Sequence, residues 1–258
     1  MEWRKAKTYM ITTLLILNTF LIWSIFLDFK NFKETDIDDL KTDLEIYLGR
    51  MDIHLKTDIA KELPKLSPLE TDYTDVDDTT YPEFFSKFDP FIIQTEKKIL
   101  KAQIPEAALK DFHSMYMNEF SDKFIKTYFK EDYDLKYAYF KDNNYYSCYT
   151  PTYEGYPIED AFLKIDFDYG KKTLSIEKVN IHATPTYIEA RTVISPIRAL
   201  TQVACRMKKG DDIDEIKLIY YYKAENEPGT PSIKKARALP TWRIKSVSGK
   251  FYYVYALY

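Results

Sequence analysis

Glycine is scarce in this chain, with six residues in 258 against 23 tyrosines and 16 phenylalanines. That balance excludes a flexible low-complexity stalk and favours a folded chain rich in strands. Histidine is scarcer still: His54, His113 and His182 are the full set. No H-E-x-x-H, C-x-x-C or G-x-S-x-G pattern is present, so the common metal, redox and serine-nucleophile signatures are missing. The acidic pairs Asp77-Asp78 and Asp211-Asp212 read as turn residues. The run TDVDD lacks the ligand spacing and the glycine of a calcium loop. No catalytic residue, cofactor or metal site is expected, and the chain reads as non-enzymatic. Net charge is −3 with scattered basic residues, which argues against nucleic acid as a partner. Two cysteines, Cys148 and Cys205, read as separate buried thiols, although a disulfide is chemically allowed outside the cytoplasm.

What the chain does have is a long uncharged run near its start. From Thr8 to Leu27 no residue is charged. That is about the 20 residues a helix needs to cross a bilayer. The run ends without an A-x-A-like cleavage site, so an uncleaved transmembrane helix is expected over residues 8–27. Arg4, Lys5 and Lys7 precede it and acidic residues follow, which places residues 1–7 in the cytoplasm and the remainder outside the cell. Thr8, Thr12 and Thr19 fall on one helix face, where small hydroxylated residues permit close helix–helix approach. Asn18 lies near mid-span, where an amide facing lipid is costly. Thr12, Asn18 and Thr19 are therefore the candidate partner-binding residues. The competing reading is a plain anchor whose threonines bond back to their own helix.

Beyond the span, residues 28–50 predict a juxtamembrane amphipathic helix with Leu40, Leu44, Tyr47 and Leu48 at helical spacing. The Pro/Thr/Asp-rich stretch from about residue 62 to 85 reads as an exposed irregular loop. Pro105 suits a first helical turn, with Ala108, Leu109, Phe112, Tyr116 and Phe120 along one face. Ser121 is expected to cap a second helix carrying Phe124, Ile125, Tyr128 and Phe129. A hairpin around Asp142-Asn143-Asn144 follows, then alternating strands on either side of Gly170. Ser195-Pro196 reads as a cap and first turn, with the helix running through Met207 to a stop at Gly210. A strand at IDEIKLIYYY, an exposed loop at ENEPGTPS and two closing strands complete the chain. The expected architecture is α+β, with two units of one plan, a helix followed by an antiparallel meander, over residues 51–190 and 191–258. Tyrosine-dense runs such as YFKEDYDLKYAYF fit strand alternation as well as a glycan-stacking surface.

The opening MEWRKAKT with its LILN-containing span resembles the start of the YycI (WalI) family. So do the segment YEGYPIEDAFLKIDFDYGKKTLSIEK and the closing block ISPIRAL…LPTWRIK. The resemblance implies a membrane-bound accessory regulator of low-GC Gram-positive bacteria. It would act with a YycH-like protein on the sensor histidine kinase YycG (WalK) of a cell-wall two-component system. It also implies an extracellular domain similar to the C-terminal part of YycH and, more remotely, to PepSY modules. The long insertion near residues 63–90 and the two cysteines depart from the family's pattern. The alternative function is a PepSY-like inhibitor of a surface protease.

Overall fold

In the computed structural model, residues 2–33, 37–60, 62–94, 98–109, 116–159, 161–222 and 235–257 are described. Helix α1 (Glu2–Lys33) leads into α2 (Ile37–Arg50), then short strands β1 (Lys65–Leu66) and β2 (Leu69–Tyr73) and helix α3 (Pro82–Phe88). Strands β3 (Ile92–Gln94) and β4 (Ile99–Pro105) precede α4 (Met117–Tyr128). A run of strands follows: β5 (Tyr133–Lys141), β6 (Asn144–Tyr153), β7 (Tyr156–Pro157), β8 (Phe162–Asp168), β9 (Thr173–Val179), β10 (Ile181–Pro185) and β11 (Arg191–Thr192). Helix α5 (Pro196–Ala204) and strands β12 (Ile213–Tyr221), β13 (Lys235–Ser246) and β14 (Phe251–Tyr255) close the chain. The protein is a mixed α+β structure, and its strand pairs are antiparallel apart from two isolated bridges.

The larger sheet runs β3-β4-β9-β8-β6-β5, with β7 attached to β6. Its hairpins follow from local sequence. Asp142 and Asn143 both take positive φ, the conformation a two-residue turn between twisted strands requires. Along β8 and β9 every second residue is buried, so Leu163, Ile165, Phe167, Leu174 and Ile176 form one apolar face. Helix α4 lays Phe120 and Phe124 on that face, and α3 adds Phe84, Phe85 and Phe88 to the same core. The second sheet has the order β10-β2-β13-β12, with β14 also on β13. Under it, α2 and α5 contribute Leu44, Leu48, Leu200 and Val203 to a core shared with Trp242, Ile244 and Val254.

Four expectations need correction. The stretch from about residue 62 to 85 is not irregular throughout: it supplies β1, β2 and the first turn of α3, a helix whose Phe84 and Phe88 are among the most deeply buried side chains. Tyr81, Phe84, Phe85 and Phe88 repeat at helical spacing, and burying four aromatic rings outweighs the local turn composition. No long helix starts at Pro105. That residue ends β4, whose Leu100, Ala102 and Ile104 alternate into the core while the whole strand pairs with β9. Of the expected helix, Phe112 and His113 lie outside the described residues, and Phe120 belongs to α4. Ser121 caps nothing: it sits buried inside α4, whose N-cap is Tyr116. Lastly, α5 stops at Ala204, short of Met207, although Gly210 does take positive φ.

The Ser195 cap holds as read, its hydroxyl accepting from the Arg198 amide at 3.3 Å. The loop ENEPGTPS lies outside the described residues. Among the described residues, no helix is long and apolar enough to cross a membrane. Within the uncharged run, the side chains of Thr8, Tyr9 and Ile25–Leu27 lie outside that description.

Candidate interaction surfaces

Helix α1 carries the residues singled out from the sequence. Thr12, Asn18 and Thr19 are all exposed on it. Thr19 donates its hydroxyl back to the Leu15 carbonyl at 2.8 Å, the local bond expected of a threonine in a helix. It also sits in a shallow apolar groove of about 450 Å³ between Leu15, Ile16, Phe20 and Trp23. Thr12 and Asn18 are not part of that groove. Leucine, isoleucine, phenylalanine and tryptophan side chains from Leu14 to Trp23 are exposed together, a contiguous apolar surface of the kind that marks an interaction site.

A second surface lies on β5 and its neighbours. Tyr137, Tyr139 and Tyr146 form a row of rings, with Tyr139 and Tyr146 stacked at 5.3 Å. This side of the sheet is opposite α4, and an antiparallel sheet commonly leaves one face to solvent. On this face Tyr139 is 48% exposed; Phe140, 65% exposed, turns to the other face, directly opposite the buried Tyr145 of β6.

The acidic pairs and His54 are placed as structural ties. Asp212 accepts the His54 amide at 2.9 Å, with the His54 ring at 3.1 Å and Lys56 at 3.1 Å. The His54 amide, with Lys56 and the His54 ring, holds the Asp212 carboxyl down to about 2. Asp211 accepts from Ser248 in the turn between β13 and β14, 37 residues away, and Asp77 accepts from Thr79 and Thr80 within its own turn. His182 lies within β10 and is exposed. Among the described residues, no group of acids, histidines and cysteines is placed to hold a metal ion. Cys148 is buried and Cys205 exposed, and both are free thiols. The expectation of two buried thiols therefore holds for Cys148 alone. Burial pushes the Cys148 thiol up, so it is a poor nucleophile.

Residues 33–257 match the family described as YycI protein. The chain belongs to the YycI family. The match takes in both sheets, the β5 surface and every helix except α1, of which it reaches only the last residue, Lys33. No curated protein matches the chain.

Within this YycI-family domain, two buried charge clusters join parts distant in sequence. In one, Arg243 of β13 bonds Glu159 at 2.7 Å and Glu215 of β12 at 2.8 and 3.0 Å. Glu159 is also held by Lys136 of β5 and by the Tyr253 hydroxyl at 2.8 Å. Burial works against the Arg243 charge, but the two carboxylates outweigh it and raise its pKa. Burial and Glu159 together raise Tyr253, so its phenol stays a donor. In the other cluster Lys178, nearly fully buried, meets Glu131 at 3.0 Å and the Tyr133 hydroxyl. Burial lowers the Lys178 pKa despite Glu131. Tyr81 donates to Glu131 and to Asn180, tying α3's entrance to β9's exit. Sequence reasoning missed both clusters. In TWRIK, alternation points Arg243 away from the core of Trp242 and Ile244, the direction normally read as solvent. The available signal was a charged residue in a strand with buried neighbours on both sides, and it names no partner.

Proposed function

We propose that this chain is a membrane-anchored, non-enzymatic accessory regulator of the YycG (WalK) sensor kinase, acting together with a YycH-like partner. The observation that carries the reading is membership of the YycI family over residues 33–257, which supports an accessory role in that two-component system. In this reading residues 8–27 of α1 span the membrane, with the N-terminus cytoplasmic and the α+β domain outside. The uncharged run, its basic leading flank and the exposed apolar side chains of α1 support the span. The likeness of the outer domain to the C-terminal part of YycH belongs to the same proposal.

Regulation then requires differential binding: the helix shifts the kinase by binding one signalling state better than the other. Thr12, Asn18 and Thr19 offer the contact, and the groove around Thr19 offers a seat for a neighbouring helix. The outer domain docks its partner through exposed aromatic residues, Tyr139 and Phe140 of β5 among them.

The test is a reporter of kinase output at matched membrane levels of the protein. Asn18→Leu leaves insertion intact and removes an interhelical bond worth about 0.6–2 kcal/mol, so regulation falls a few-fold. Adding bulky apolar residues at Thr12 and Thr19 has a larger effect. An unchanged output from the triple variant overturns helix-borne regulation. Recovery of neither a histidine kinase nor a YycH-like protein with the chain from membranes overturns the assignment of partners.

A further inference from the structure

Strand β14 is an open edge of the second sheet. Among the described residues it pairs with β13 and with no strand on its other side. The parity of the ladder shows which of its groups look outward. Backbone bonds run from Ala256 to Pro240 and from Ser246 to Lys250. Residues opposite one another in an antiparallel pair alternate between bonded and non-bonded. Tyr252 and Val254 therefore bond to β13, and Phe251 and Tyr253 turn their N–H and C=O groups away from it.

A groove of about 420 Å³ follows this edge. Side chains from both faces of the sheet line it: Tyr253, Tyr255 and Tyr221 from one, Tyr252 and Arg206 from the other. It therefore straddles the strand's backbone rather than sitting on a face. Lys250 also lines it, and no carboxylate is among its lining residues. Among the described residues neither Arg206 nor Lys250 has an ion-pair partner. Tyr221 and Tyr253 stack on each other at 4.4 Å and 10°, which spends ring faces that a sugar would otherwise need.

We propose that β14 is the docking edge for an extended acidic segment of a partner protein. The segment adds as a further strand, bonding the outward groups of Phe251 and Tyr253 while its carboxylates meet Arg206 and Lys250. Main-chain bonds supply the register and the two cations supply the selectivity, as in other strand-addition sites. The inference does not depend on the membrane reading, since it concerns the outer domain alone.

The probe is a short fluorescent peptide alternating glutamate and valine, titrated against the full chain in detergent. Saturable binding in the high-micromolar range is expected, with a loss of at least tenfold in the Arg206→Glu, Lys250→Glu double variant. A peptide with lysine in place of glutamate should not bind the parent chain. N-methylation of alternate peptide amides should abolish binding in one parity and spare it in the other, since a strand bonds a neighbour through every second residue. Trp242 emission checks that the variant is folded. Three results overturn the proposal: absence of binding to the folded parent, binding that ignores the charge reversal, or equal tolerance of both methylation parities. Self-association of the parent that the acidic peptide does not displace would assign the edge to a second copy instead, and also overturns it.

Discussion

Replacing Arg243 by methionine would leave Glu159 buried against the face of the second sheet opposite α2 and α5, with part of its support removed. The Arg243 side chain is 0% exposed and that of Glu159 is 4%, so water cannot take over for the lost guanidinium. The substitution removes bonds at 2.7, 2.8 and 3.0 Å. Lys136 and the Tyr253 hydroxyl remain on Glu159, and Glu215, being 29% exposed, can turn toward solvent. Breaking a buried ion pair from one side costs about 3–5 kcal/mol. The partners that stay behind favour the lower end, about 3 kcal/mol.

Trp242, next in the chain, is buried under α5 and reports the loss directly. The other tryptophans, Trp3 and Trp23, lie on α1 and are replaced by phenylalanine in the parent used for comparison. With a urea slope of about 3 kcal/mol per molar, the midpoint of Trp242 emission should fall by about 1 M. The double variant Glu159→Gln, Arg243→Met should be less destabilised than the sum of the singles, by about 2 kcal/mol, because neither charge is then stranded. A loss under about 1 kcal/mol for the single arginine variant would refute the argument that this cluster clamps the sheets together.

Other outcomes follow from the same structure. Phe84→Ala empties a fully buried site ringed by Phe88, Phe124 and Phe129, and should cost about 3–5 kcal/mol in a thermal or urea melt. A cost near zero would return this stretch to an exposed loop. Asp212 has its folded pKa lowered from 3.8 to about 2, so its stabilisation is present above pH 3.8 and is lost as pH falls toward 2. Asp212→Asn should accordingly be less stable than the parent at neutral pH and indistinguishable from it near pH 2. A difference that persists undiminished at pH 2 contradicts the assignment. The pair Tyr139→Ala, Phe140→Ala should cost about 1–3 kcal/mol in the melt, the worth of the Tyr139–Tyr146 and Phe140–Tyr145 ring contacts, and, under the proposed function, should weaken association of the still-folded variant with a soluble YycH-like domain by at least tenfold.

The sequence by itself determined what local chemistry can encode. Asp142-Asn143 makes the hairpin because those residues tolerate positive φ, and Ser195-Pro196 starts α5 because cap and ring are built for that position. Alternation in FLKIDFD and TLSIEKV marks the face of β8 and β9 that meets α4, and the closing block marks β12, β13 and β14. The uncharged run and its flanks were likewise legible, and so was the family. Tertiary structure decided what depends on distant partners. Ile99–Pro105 is a strand because β9 offers a full-length ladder, and Pro82–Phe88 is a helix because its rings find α4. β13 takes β2 along its first half and β14 along its second, joining segments more than 150 residues apart in the chain. Arg243 is buried because a second layer covers a face that alternation assigns to water. A residue's neighbours in sequence determine its turn, cap and periodicity. What covers the far side of a sheet is set by segments from elsewhere in the chain, and no local pattern records it.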